Sequence, residues 1–449
     1  MTKKSQASTS SHSTTRSSKK TPRVALVIDW LDQIGGAEQV LLALHEMYPD
    51  APIYTSVYRP KKVASILGDA DVRTGWLNIF PIALRRFLGP LRQTWFSHLN
   101  LNGYDLVISV TGAEAKGIKT DGFHLCYCHV PTQYYWQLYD DYLKNPGFGI
   151  LNPLARLGLK IFVKPMRKRD FKAAKRPDKI VTISTYAADQ IKKYYHRDAE
   201  IINPPVDLAK FEVGNDTLKT GVLTKFSTGR ASLSTKEGNI TEKSQEKLKN
   251  NHEKSQTDSA QSKTIKLDKS QINDPTLAAD LANGFITTSR QVVWKRLDLC
   301  IKACIETGMP LTLIGEGPEH DSLVRLAKNS NRIHFIPRMP QAELSTFLRS
   351  AKGYLFPSKE PFGLAPVEAL AVGCPVIALG QGGALDYIEP GKNGLLFEKQ
   401  TAKSLAAAIR DFDKLRLSPD VVKASAARFD KSVFIEKIEK VVEENLHAK

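Results

Sequence analysis

Apolar positions in this chain gather in short continuous runs, and helical spacing fills the stretches between them. Residues 23–30 (RVALVIDW), 104–110 (YDLVISV), 123–131 (FHLCYCHVP) and 179–184 (KIVTIS) are near-continuous runs of strand length. Such runs mark strands buried on both faces of a parallel sheet. The same alternation returns at residues 285–289, 311–317 (LTLIGEG), 332–337, 354–356 and 375–379, again with helical patterns following. Strand, loop and helix repeated in two blocks predict an α/β protein of two domains.

Two segments break the pattern. Residues 1–22 are rich in Ser, Thr and Lys and contain no Asp, Glu or aromatic residue, which predicts a disordered basic tail. Residues 213–283 are dominated by Lys, Ser, Thr, Asn, Gln and Glu, with Phe226 the only aromatic, which predicts a disordered insertion between the domains. The ordered blocks are then residues 23–212, residues 284–430 and a terminal helical stretch at 431–449.

Charge adds a partner class. The 449 residues carry a formal net charge of +17, which calls for an anionic partner: nucleic acid, a membrane surface or a phosphorylated substrate. Residues 76–96 mix large apolar side chains with Arg85, Arg86 and Arg92, and read either as an interfacial segment or as a core helix with a basic face. Within residues 156–176, Arg156, Lys160, Lys164, Lys168 and Lys172 recur every fourth position, bent at Pro165. That stripe reads either as a contact with an anionic membrane or as a solvated face; interleaved aromatics for base stacking are missing. Five cysteines without metal spacing predict buried free thiols in a reducing compartment. No signal-peptide core and no membrane-spanning run is evident, so a cytoplasmic protein is expected.

Candidate chemistry centres on residues 356–383 (FPSKEPFGLAPVEALAVGCPVIALGQGG). A strand ends at Phe356, a loop carries Glu360 and Gly363, and a helix beginning near Ala365 carries Glu368 about a turn in. Such a loop lies at the carboxyl end of a parallel sheet, where open α/β folds bind ligands. The helix start offers N–H groups to an anion, and a carboxylate can accept from both hydroxyls of a vicinal diol. Phosphate plus diol describes a sugar nucleotide. Arg290 and Lys295 flank another strand-to-helix loop and suit a diphosphate. Gly35 and Gly36 follow the first strand, Gly315 and Glu316 end a later one, and His129 ends the run at 123–131. The Asp-x-Asp pairs Asp69/Asp71 and Asp411/Asp413 read as solvated carboxylates, and no metal site is expected.

Glu360 and Glu368 around Phe362-Gly363-Leu364 resemble the E-x7-E signature of the retaining family-4 glycosyltransferases. That resemblance covers residues 23–211 and 284–445 and implies the GT-B fold, two Rossmann-like domains facing an interdomain cleft, with the last helix docked back on the first domain. It implies that Glu368 holds the nucleotide ribose and Glu360 faces the donor sugar. Arg290 and Lys295 take the diphosphate, while Gly35, Gly36, Gly315, Glu316, Phe362, Gly363 and Leu364 belong to the donor site.

The Cys128-His129-Val130-Pro131 stretch, followed by Tyr134 and Trp136, is similar to the mannosyltransferase branch that acts in cell-surface polysaccharide and O-antigen assembly. There His129 would contact the sugar or the acceptor. The branch carries Arg in place of Gln133 and Asp in place of Gln137, a change that would either turn an ion pair into a neutral amide pair on a helix or, if that arginine touches substrate in the branch, alter the choice of acceptor or donor. The implied reaction moves a hexose to a hydroxyl of a glycan or lipid-linked acceptor with retention of configuration. The donor is GDP-mannose or, alternatively, a UDP-sugar, and no cofactor or metal is expected. The chain would work in the cytoplasm, peripherally on the inner face of the plasma membrane. From another class, a basic nucleic-acid-binding protein without catalysis would explain the charge and leave the cleft motifs unused.

Overall fold

The computed structural model describes residues 21–80, 88–144, 146, 149–212 and 275–446. The first domain is built on a parallel sheet of β1 (Val24–Ile28), β2 (Ile53–Thr55), β3 (Val72–Thr74), β4 (Leu106–Thr111), β5 (Phe123–Cys128), β6 (Lys179–Thr182) and β7 (Glu200–Ile201), in the order β3-β2-β1-β4-β5-β6-β7. Every residue of β1, β4 and β5 is buried, because helices cover both faces.

The second domain repeats the plan with β8 (Phe285–Thr288), β9 (Leu311–Ile314), β10 (Ile333–Ile336), β11 (Gly353–Phe356), β12 (Val376–Leu379) and β13 (Gly394–Phe397). These strands are also parallel, in the order β10-β9-β8-β11-β12-β13. Each sheet is wound outward in both directions from its first strand, the doubly wound Rossmann-like arrangement.

The domains are joined at several points. Ser184 Oγ donates to Pro361 O at 2.5 Å, and Thr185 N donates to Asp386 Oδ2 at 2.7 Å. The closing helix, Lys431–Leu446, returns to the first domain. Phe434 meets Tyr127 of β5 edge-on at 5.7 Å, and Lys431 pairs with Glu46 at 2.8 Å and with Asp207 at 3.5 Å.

Three sequence expectations change here. Residues 1–20 and 213–274 lie outside the described residues, but Pro275–Asn283, read as the end of the insertion, is a helix. Leu277 and Leu281, one turn apart, are buried, and Asp280 accepts from Arg332 at 3.3 Å. The stretch 76–96 divides: Trp76–Ile79 is a short 3-10 turn with Ile79 exposed, while the Gly89–His98 helix buries Arg92, Gln93 and Phe96. Arg85 and Arg86 lie outside the described residues. The stripe every fourth position along the Asn152–Ala173 helix loses Arg156, whose guanidinium donates to Leu143 O at 2.9 Å and Lys144 O at 2.8 Å. All five cysteines are buried and free. No helix among the described residues is long and apolar enough to cross a membrane.

Candidate functional site

Winding reverses between β1 and β4 in the first sheet and between β8 and β11 in the second. At such a reversal neighbouring loops diverge at the carboxyl ends of the strands and leave a crevice. Most of the chemical motifs sit on these four loops, while His129 follows β5 and Gly315 and Glu316 follow β9. Gly35 and Gly36 follow β1, residues 112–117 follow β4, Arg290 and Lys295 follow β8, and Glu360 and Gly363 follow β11.

In the second domain the crevice brings Lys295 and Glu360 together. Lys295 Nζ donates to Glu360 Oε1 at 2.6 Å, and Ser358 Oγ donates to the same oxygen at 2.7 Å. The two side chains remain 23% and 20% exposed, so water screens the pair and it adds little to stability. Arg290 is exposed. Beyond Lys295, Arg296 adopts a φ of +53°, left-handed for a bulky residue, and its guanidinium bonds Asp298 at 3.0 Å.

Glu368 lies in the second turn of the Leu364–Ala371 helix. Its side chain is half-buried; partial loss of water pushes its carboxyl up to about 7, and no described residue bonds it or pairs with it. A carboxyl taken from water without a compensating partner is costly to keep, and functional crevices are where such groups concentrate. Gly363, at a φ of +92°, makes the turn into this helix; a Cβ there would sit 2.7 Å from the Phe356 ring.

The first domain handles charge differently. Asp29, at the end of β1, accepts from Thr111 Oγ1 at 3.0 Å and from the N–H groups of Gly112, Glu114 and Ala115 at 2.9, 2.8 and 2.7 Å. It clasps β1 to the loop after β4. Glu38 accepts from Gly35 N at 2.8 Å, closing the start of the Gly36–Met47 helix. Burial pushes this carboxyl up to about 7, against the two backbone bonds and helped by Asp32 and Asp29. Arg92 meets Glu114 at 3.3 Å in full burial. Lys116 meets Asp170 at 2.7 Å, and Asp170 also takes Thr132 Oγ1, Tyr195 Oη and Trp136 Nε1. Burial alone would discharge Lys116, but the Asp170 carboxylate outweighs it and holds the ammonium well above its ordinary range.

Beside these networks lies a cavity of about 300 Å³, lined by Trp30, Glu38, His129, Gln133, Tyr134 and, from the second domain, Pro361. His129 Nε2 is buried with no partner among the described residues, and burial lowers the imidazole to about 4, so the ring is neutral. A comparable cavity of about 320 Å³, near Lys119, His124 and Arg176, lies at the amino ends of β5 and β6, away from the crevices.

The remaining assigned residues have these surroundings in the structure. Phe362 is 3% exposed, its ring packed on Tyr387 and Phe429 at 5.4 and 5.7 Å, so it anchors the loop from behind. Gly315, at a φ of +132°, lies against the protein's own backbone: a Cβ there would stand 2.1 Å from Ser289 O. Glu316 is exposed, and its carbonyl accepts from Gln291 N at 2.8 Å. Gly36 and Leu364 face each other across the domains, a Cβ on Gly36 being 3.3 Å from Leu364 Cδ1. Gln133 and Gln137 lie in consecutive turns, not on a helix. Gln133 lines the cavity, while Gln137 Oε1 is buried without a partner among the described residues, so the amide pair is not formed.

Asp29 escaped the sequence reading; its only signal was an acid closing the apolar run 23–30. Among the described residues, no group of three or more His, Cys, Asp or Glu side chains could hold a metal. Asp71 pairs with Arg73, and Asp411 with Lys414.

Residues 269–429 match the family Glycosyl transferases group 1. Glycogen synthase of Mycobacterium tuberculosis is 33% identical over 107 residues, 23% of this chain and 26% of that protein. A D-inositol 3-phosphate glycosyltransferase of Frankia alni is 41% identical over 87 residues, 18% of this chain and 21% of that one. The chain thus spans about a quarter or less of the length of these curated relatives.

The fold as a whole is similar to that of Anabaena HepE in complex with UDP and glucose, with a TM-score of 0.58 at 16% identity over 94% of this chain and 100% of the other. Sucrose-phosphate synthase from Thermosynechococcus elongatus gives a TM-score of 0.61 at 15% identity, over 95% and 99% of the two chains. At such identities the likeness is one of fold, and the fold is GT-B.

Proposed function

We propose that the chain is a retaining glycosyltransferase that moves a hexose from a nucleotide sugar to a hydroxyl of a glycan or lipid-linked acceptor. Glu368 carries this reading. A half-buried carboxyl without a partner among the described residues, one helix turn from a crevice rim, is placed to accept from the two hydroxyls of a ribose. Lys295 and Arg290 take the diphosphate, with the start of the Leu364–Ala371 helix adding N–H groups and the positive end of its dipole. Glu360 faces the donor sugar and trades its bond to Lys295 for one to the donor. His129, neutral, lining the cavity and with a buried nitrogen that has no partner among the described residues, meets the sugar or the acceptor.

In the transfer, the bond between the anomeric carbon and the phosphate oxygen breaks and one to the acceptor oxygen forms on the same face. The acceptor's proton passes to the departing phosphate. Catalysis then consists of stabilising that phosphate with groups already in place. No step calls for a metal.

GDP-mannose is the first donor to test. The Cys128-His129-Val130-Pro131 motif supports it through His129 alone, since Trp136 is bonded to Asp170 within the first domain. A thermal-shift panel of GDP, UDP and ADP with their sugar conjugates decides the base. A ligand at a hundred times its dissociation constant adds about 2.7 kcal/mol. Stabilisation by GDP and release of GDP from GDP-mannose are expected. A shift with UDP alone moves the donor to a UDP-hexose, and no shift with any nucleotide removes the glycosyltransferase reading. The reaction is placed in the cytoplasm, at the inner face of the plasma membrane.

A further inference from the structure

The Asn152–Ala173 helix is buried along only part of its length. Val163, Met166, Asp170 and Ala173, all in its second half, are the positions it packs into the first domain. Its first three turns bury nothing, yet they are apolar: Leu154, Leu157, Ile161 and Phe162 are 65%, 55%, 58% and 52% exposed. Leu154, Leu157 and Ile161 are spaced by three and four residues, and Lys164 and Lys168 extend the same row by three and four more. One helix face therefore runs from apolar to cationic, turned away from the domain.

Its charge has one sign. Lys160, Lys164, Lys168, Arg169 and Lys172 are exposed, and the helix's single carboxylate, Asp170, is buried against Lys116. A second copy of this helix would bring like charges together, and a neutral protein groove would leave the lysines unused. We propose that this face docks on an anionic lipid bilayer, Leu154, Leu157, Ile161 and Phe162 entering the headgroup boundary and Lys160, Lys164 and Lys168 meeting lipid phosphates.

The position of the helix gives docking a use. Arg156 is bonded to the carbonyls that end the Tyr139–Lys144 helix, and Tyr142 of that helix lines the 300 Å³ cavity beside His129. A bilayer against the long helix lies one short helix from the cavity, where a lipid-linked hydroxyl would have to arrive. The evidence for docking does not depend on the sugar-transfer reading; only its purpose does.

The test is co-sedimentation of the full chain with vesicles of phosphatidylcholine, with and without 30% phosphatidylglycerol (about a third, to set a strong surface potential). Binding is expected on the anionic vesicles, weakened in high salt. A variant combining Leu154→Ser, Leu157→Ser and Ile161→Ser, and another combining Lys164→Glu with Lys168→Glu, should each lose roughly tenfold or more in partition. Both sets are exposed, so unfolding does not confuse the result, and nucleotide thermal shifts should be unchanged in both. Equal binding to the two vesicle types overturns the proposal. So does binding that survives both variants, as it would if residues 1–22 were responsible, and so does a self-association in sedimentation velocity that the serine variant abolishes.

Discussion

The two domains share one strand plan but treat charge in opposite ways. Around the β1–β4 crevice nearly every charged group has partners: Asp29 has four donors, Arg92 has Glu114, and Lys116 has Asp170. Around the β8–β11 crevice Glu368 has no described partner, Arg290 is exposed, and Lys295 and Glu360 have chiefly each other. A buried charge that is fully bonded holds a fold together, and one left without bonds is available to a ligand. On this criterion the proposed function assigns the electrostatic chemistry to the second domain. The first has a cavity lined by Trp30, Tyr134 and Tyr142, with the bonded carboxyls of Asp29 and Glu38 and with His129 at its wall.

The sharpest way to break this contrast is to exchange the roles. Asp170→Ala leaves the buried Lys116 without a counter-charge among the described residues, bonded only to Ala113 O and Thr132 Oγ1, and should cost about 3–5 kcal/mol of stability in urea unfolding. Turnover per folded molecule should change little. A large loss of turnover in a stable Asp170 variant would place chemistry in the first domain. Lys295→Ala should do the reverse, lowering turnover roughly a hundredfold or more while the melting temperature stays close to wild type. An active Lys295→Ala enzyme ends the clamp.

Glu368→Gln refines the contrast by pH. With a folded value of about 7 against a model value of 4.5, the folded chain holds the Glu368 proton over that interval while the unfolded chain has released it. Stability from this group therefore falls as pH rises from 4.5 to 7 and is level above. Glutamine has no such slope. The variant should match wild type near pH 4 and exceed it by about 1 kcal/mol at pH 8, the low end of the scale for an unpartnered group because Glu368 is half-buried. The smallest effect belongs to His129. Being neutral above about pH 4, it should add no inflection to the rate profile between pH 5 and 8, and His129→Asn should preserve whatever inflection exists.

Much of the fold was legible because its signals are local. Continuous apolar runs located the strands, and a Gly363 that must turn left-handed marked the loop that carries Glu360. Site positions on those loops followed directly. What stayed hidden depends on distant partners. Asp29 is bonded to residues 82 to 86 positions away, so it was not visible in its own neighbourhood; Glu360 was, but its bond to a lysine 65 positions away was not. Phe362 read as a cleft residue because the aromatic pair behind it, Tyr387 and Phe429, lies far along the chain. Arg156 joined a basic stripe by spacing alone, whereas the structure commits it to two carbonyls of the preceding helix. The Pro275–Asn283 helix was masked by the polar sequence before it, although Leu277 and Leu281 are one turn apart.

The most direct measurement is calorimetric titration of the stabilising nucleotide into wild type and Glu368→Gln at pH 8, with the melting temperature of each ligand-free protein recorded alongside. A partnerless carboxyl kept for a ribose predicts a ligand-free variant that melts higher than wild type and binds the nucleotide at least roughly tenfold more weakly. Equal melting temperatures together with equal affinity would contradict it, and would return Glu368 to an ordinary helix position.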